Sequence, residues 1–139
     1  MTDLPRPFER EADLVHFTGS AIVVGSRGVV LHLHKKLNLW LQPGGHLDSG
    51  ETPWAAALRE AAEETGLQVR LRSDTLVHLD VHRAAQEHVH LDLRYLVDAA
   101  DEDPNPPPGE SPEVRWFHWD EALAVADPGL VGALRALRP

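Results

Sequence analysis

The stretch from Pro53 to Thr65 constrains this chain most, because both ends of a helix are written into it. Its residues are helix formers, Thr52 stands at the N-cap position, and Pro53 occupies the first helical position, where a missing N–H costs nothing. Gly66 follows where a left-handed C-cap belongs. Upstream, residues 14 to 34 carry two strand-like runs, Leu14, Val15, Phe17 and Ala21 to Val24, then Val29 to Leu31 and Leu33. With Gly25-Ser26-Arg27-Gly28 between them, they predict a β-hairpin closed by a Gly-rich turn. Downstream, Leu67 to Val81 and His88 to Val97 alternate as two antiparallel strands would, joined by a polar turn over Arg83 to Glu87.

The remaining segments read in the same way. After Leu39-Trp40-Leu41, the run Gln42-Pro43-Gly44-Gly45 stops a strand and opens a loop to Glu51, the paired glycines allowing unusual backbone angles. Asp98 to Pro112 holds five acidic residues and five prolines around Gly109, which predicts a surface loop. Val114 to Trp119 reads as a short strand, Asp120 as the cap of a helix over Glu121 to Ala126, and Gly129 to Leu137 as a further helix. No repeat or linker interrupts residues 1–139, so a single domain is expected. A chain of 139 residues buries roughly 68% of its unfolded surface around one core and needs no staple.

The absence of cysteine excludes thiol nucleophiles, disulfides, iron–sulfur ligation and Cys-type zinc sites. Met1 to Arg10 lacks the apolar core of a signal peptide, and no run approaches about 18 apolar residues. A cytoplasmic protein with no membrane partner is expected. The net charge of −9 argues against a sequence-independent grip on nucleic-acid phosphates, so an anionic substrate needs a metal ion or a local basic pocket.

On a wheel of about 100° per residue, Trp54, Leu58, Ala61, Ala62 and Thr65 share one face of the Pro53–Thr65 helix and Glu60, Glu63 and Glu64 the opposite one. With no Lys or Arg read as interleaved there, the carboxylates repel by a few tenths of a kcal/mol per pair, and a cation belongs among them. Three convergent carboxylates suit Mg²⁺ or Mn²⁺. Gly44 and Gly45 let backbone approach a metal or phosphate, and a glycine carbonyl can add an oxygen ligand. Arg59, at the edge of the acidic face, can reach back to Glu51 and tie loop to helix.

Alone, the three glutamates are an ordinary solvated face. The spacing around them is not ordinary: Gly45, five residues, Glu51, seven residues, Arg59-Glu60, an aliphatic position at Ala61, one residue, Glu63-Glu64, one residue, then Gly66 and the aliphatic Leu67. Seven fixed types at these intervals coincide by chance roughly once in 10⁸ placements. The pattern resembles the signature of the Nudix family, with Ala61 a small occupant of its aliphatic slot.

The resemblance implies an α/β/α sandwich around a mixed central sheet. It implies water attack on a diphosphate linkage, in a nucleoside triphosphate or a compound joined to a nucleoside diphosphate, with Mg²⁺ or Mn²⁺ as cofactor. Glu60, Glu63 and Glu64 then form the catalytic and metal-binding set, with Glu60 as general base, Glu63 and Glu64 as ligands and Gly44 and Gly45 beside them. Glu51 and Arg59 are structural supports. The partner is a small-molecule diphosphate, and a homodimer is the expected assembly because many relatives dimerise. Isoprenoid diphosphate isomerisation is disfavoured by the missing cysteine, and RNA decapping by the acidic charge. The rivals are a non-catalytic nucleotide-ligand sensor that kept the fold and a purely structural protein.

Weaker candidates accompany these. Glu110 and Glu113 precede Val114 in a loop where relatives often supply a further ligand. The pairs His32/His34 and His88/His90 each put two imidazoles on one strand face. Trp40 and Trp116 can stack on a ring or serve the core, and Arg27, Lys35, Lys36 and Arg83 can meet phosphate or water. No substrate-binding residue is assigned.

Overall fold

The structure, a computed structural model, describes residues 15–83 and 88–139. Leu14, the Met1–Arg10 segment and residues 84–87 of the expected turn lie outside them. One eight-stranded sheet comprises β1 (Val15–Gly25), β2 (Gly28–His34), β3 (Leu39–Leu41), β4 (Gly44–His46), β5 (Val69–Leu71), β6 (His78–Arg83), β7 (Val89–Ala99) and β8 (Val114–Phe117). The helices are α1 (Pro53–Thr65), α2 (Trp119–Val125) and α3 (Pro128–Leu137). None of those described is long and apolar enough to cross a membrane.

β1 and β2 form the expected hairpin, Gly25 facing Gly28 across Ser26-Arg27. Gly28 sits at φ +117°, where a side chain would be strained and would strike the carbonyl of Phe117. β7 runs parallel to β1 from Val15 opposite Val89 to Val24 opposite Asp98, while the other strand pairings are antiparallel, so the sheet is mixed. The strand alternation of period two divides the core. Ala21 and Val23 of β1 face Ala57, Ala61, Tyr95 and Val97 on the α1 side. Ile22 and Val24 face Phe117, Ala122, Leu130 and Leu134 on the side of α2 and α3. The result is the α/β/α sandwich, each fully buried Leu, Ile or Val contributing about 1.5–3 kcal/mol.

Local details depart from the sequence reading. Leu67–Val81 is not one strand: β5 and β6 are separate, and β7 continues through Asp98, whose carboxylate accepts from Arg72 at 2.6 and 3.1 Å. The expected Gln42–Glu51 loop contains a strand, because β4 pairs with β1 from Ser20↔Gly44 to Thr18↔His46. α2 begins at Trp119 after His118, with Asp120 in its first turn rather than at its cap. Asp127 caps α3 by accepting from Gly129 N–H at 3.0 Å.

Candidate active site

The ends of α1 are set as the sequence predicts: Thr52 Oγ1 accepts from Ala55 N–H at 3.2 Å, and Gly66, at φ +70°, donates its N–H to the Ala62 carbonyl. The facing of the helix is different. Ala56, Ala57, Ala61 and Thr65 are buried, Ala62 is exposed, and Glu60 and Glu64 lie on the covered side, their side chains 17% and 12% exposed. Glu63, at 49%, alone looks outward. The alanines let α1 lie close on the sheet, so the covered arc is wide enough to take in two carboxylates.

β4 explains the paired glycines by space rather than by backbone angle, since neither Gly44 nor Gly45 has positive φ. A Cβ on Gly45 would stand 1.9 Å from Glu60 Oε2, and one on Gly44 2.3 Å from Ser20 Oγ. Gly44 N–H reaches both carboxylate oxygens of Glu64 at 3.3 Å.

Arg59 sits among the carboxylates, contrary to the expectation of an acidic face with no cation. Its Nε and Nη2 donate to Glu51 at 2.8 and 2.9 Å, and Nη1 to Glu60 at 2.8 Å and Glu63 at 3.4 Å. Nη2 also donates to the His46 carbonyl at 3.3 Å, and Glu51 accepts from Asp48 N–H at 2.9 Å. One guanidinium thus joins the loop, β4 and α1.

The electrostatics follow from these positions. Arg59 holds the Glu51 carboxyl below its ordinary range. Burial raises Glu60, with Arg59 opposing. Burial, reinforced by the charges of Glu60, Glu110 and Glu63, pushes Glu64 up to about 8 despite the Gly44 N–H. Glu110 therefore lies within electrostatic reach of both inward glutamates. Glu113 contributes its carbonyl to Leu33 N–H and its own N–H to Ser111 Oγ.

Glu64, Gly44 and Gly45 border a cavity of about 860 Å³. Leu37, Leu39 and Leu41 form one wall; the floor is laid by β1, β7 and β6, where Thr18, Asp92 and Asp80 stand in register beside His90 and His82. Asp92 accepts from Thr18 Oγ1 at 2.8 Å, from Ser20 Oγ, from Gln42 Nε2 at 3.0 Å and from Arg94 Nε at 3.0 Å. Arg94, its side chain only 4% exposed, also donates to the Gly129 carbonyl at 2.8 Å and so ties β7 to the start of α3. The sequence reading missed Gln42, Asp92 and Arg94. The available signal was Leu91-Asp92-Leu93-Arg94, charged residues at alternate positions of an apolar strand.

The other candidates divide. His32 lines the cavity with Nε2 3.6 Å from Glu64 Oε2, and burial holds it below the ordinary imidazole range, opposed by the main chain of Gln42. His34 also lines the cavity and accepts from Leu37 N–H at 3.2 Å. His90 stacks between His16 and His82, ring centroids 5.1 and 5.0 Å away, and His88 lies 4.8 Å from His16. Trp40 packs on Phe117 under Arg115, Trp116 donates to the Glu102 carbonyl, and Arg27 pairs with Asp101 and Asp103 at the hairpin tip. Neither tryptophan lines the cavity, nor do Arg27, Lys35, Lys36 or Arg83.

The donor chemistry suits a hard divalent cation: two half-buried carboxylates repel one another beside backbone that only glycine leaves open. Among the described residues no three His, Asp or Glu side chains form a ready cage. Mg²⁺ and Mn²⁺, which retain waters and share positions with substrate phosphates, tolerate such a site.

Fold and site define a class, an α/β/α domain that turns helix carboxylates inward against a Gly-Gly strand at the mouth of a cavity. The NUDIX domain family matches residues 12–137, and the chain belongs to that family. It is 31% identical over 135 residues to a CMP-5'-(N-acetyl-N-hydroxy-3-aminopropyl)phosphonate hydrolase of Streptomyces rubellomurinus, covering 91% of this chain but spanning only 64% of that protein's length. It is 26% identical to the asymmetrical bis(5'-nucleosyl)-tetraphosphatase of Caenorhabditis elegans, over 68% of this chain and 70% of that one. A solved NUDIX-family hydrolase of Clostridium perfringens superimposes with a TM-score of 0.74 at 28% identity, over 88% of this chain and 98% of the other.

Proposed function

We propose that this protein hydrolyses a diphosphate linkage in a small nucleotide derivative, with Mg²⁺ or Mn²⁺ as cofactor. The observation that carries the reading is the inward turn of Glu60 and Glu64 against Gly44 and Gly45 at the edge of the cavity. The family's hydrolases, two of whose names specify nucleotide compounds, support it.

Glu64, aided by Glu60, Glu63 and a Gly44 or Gly45 carbonyl, would hold the metal, with the charge of Glu110 felt at the site. Bound there, the ion supplies Lewis acidity to the diphosphate oxygens and to water. Glu60, whose burial makes it a stronger base than an exposed glutamate, takes the proton of the attacking water as its oxygen adds to phosphorus and the bridging P–O bond breaks. Arg59 and Glu51 keep Glu60 in place. The Leu37–Leu41 wall and the Asp92–Arg94 floor receive the rest of the substrate.

The test is product release, with and without Mg²⁺, across nucleoside triphosphates, nucleotide sugars, ADP-ribose, dinucleoside polyphosphates and CMP-linked phosphonates, with Glu64→Gln as the blank. Metal-dependent turnover lost in Glu64→Gln is expected. Wild-type activity in that variant overturns the mechanism; no turnover of any compound, with the metal bound, favours a ligand sensor.

A further inference from the structure

His32 is the side chain that faces Glu64 from across the cavity edge. It stands on β2, opposite Leu41 of β3 and Val114 of β8, and is 14% exposed. It lines the cavity together with Gln42, which immediately precedes the Pro43-Gly44-Gly45 run that carries β4. Its Nε2 lies 3.6 Å from Glu64 Oε2, beyond hydrogen-bond reach and about half an ångström wider than two adjacent ligands on one octahedral cation, a gap that a small side-chain turn closes. Gly44 N–H approaches the same carboxylate from β4, so Glu64 has one donor beside it and one imidazole across a gap.

We infer that His32 offers its Nε2 lone pair, with the Glu64 carboxylate, to the divalent ion. This rests on the metal reading above and adds to it a preference. An imidazole nitrogen is a poor partner for Mg²⁺, which favours oxygen, and a better one for the first-row divalent ions, weakly for Mn²⁺ and more strongly for Co²⁺. The site is therefore an N,O site on one side and an oxygen site elsewhere, and it selects Mn²⁺ or Co²⁺ over Mg²⁺. A residue that merely props Glu64 would serve every cation equally.

The experiment uses the metals alone, on the full chain without nucleotide. Mn²⁺ and Mg²⁺ affinities are measured by titration calorimetry for the wild type and His32→Gln, whose amide offers oxygen in place of the ring nitrogen. Electron spin echo spectroscopy of the Mn²⁺ complexes reads ¹⁴N coupling directly. The expected result is ¹⁴N modulation in the wild type and none in the variant, with Mn²⁺ affinity lowered about 10–100-fold and Mg²⁺ affinity less than about threefold. Equal losses for the two ions, or a wild-type Mn²⁺ complex without ¹⁴N modulation, overturn the ligand role and leave the metal site standing. If neither ion binds the wild type, the metal reading falls and this inference with it. Metal-free melting confirms that the variant folds, and His32→Asn replaces it if it does not.

Discussion

Gly45 has a partner that no glycine rule names. The Glu60 carboxylate fills the space where a side chain would start, with Oε2 1.9 Å from where a Cβ would stand. Because that atom is the far end of a flexible side chain, Gly45→Ala can be accommodated by swinging Glu60 away, and the strand need not break. The variant should melt within a few degrees of the wild type while losing about 10²-fold in turnover, the scale on which small misplacements act. A calorimetric scan beside a rate measurement separates the two effects. Loss of fold and rate together would mean that β4, not Glu60, is what yields. Residue by residue, the sequence made Gly45, Glu51 and Arg59 visible through their spacing. It left Asp92 and Arg94 unseen because their hydrogen bonds join Thr18, Gln42 and Gly129, partners distant along the chain.

At the scale of elements, α1 is anchored to its approach loop by one guanidinium. Arg59 meets Glu51 with two nitrogens and touches Glu60, Glu63 and the His46 carbonyl. Since Arg59 is 29% exposed, solvent screens part of this, and Arg59→Ala should cost only about 1–2 kcal/mol in urea unfolding. The effect on turnover should be larger, because Glu60 and the loop lose their common tether. Arg59→Lys, with a point charge in place of a fork, should restore stability more than rate. If Lys restores both, the planar fork is not what positions Glu60. The caps of α1 were legible because Thr52, Pro53 and Gly66 act through local backbone geometry. Its inward face was not. A wheel sorts residues by polarity, whereas a helix of alanines approaches the sheet closely enough to cover Glu60 and Glu64 and leave Ala62 in water.

For the whole molecule, the strain of gathering carboxylates appears as a dependence of stability on pH and metal. Glu64 binds its proton far more tightly folded, near 8, than unfolded, near 4.5. Its contribution is thus complete below the unfolded value and is lost as pH rises towards 8. Without metal, the wild type should fall in stability relative to Glu64→Gln across pH 5–8, by an amount on the order of a few kcal/mol. Glu51, held low by Arg59, acts oppositely, stabilising above its ordinary range and fading in acid, and is common to both proteins, so the difference reports Glu64 together with its repulsion of Glu60. A divalent ion must displace that proton, so the rise in melting temperature with Mg²⁺ should be greater at pH 8.5 than at pH 6.5. At a metal concentration of 100 Kd the gain is about 2.7 kcal/mol, and Glu64→Gln should lose most of it. Melting curves at four pH values, with and without metal, measure all of this. A wild type and variant that run parallel from pH 5 to 8, neither responding to metal, would mean that the inward carboxylates are a structural arrangement and that no cation resolves their repulsion.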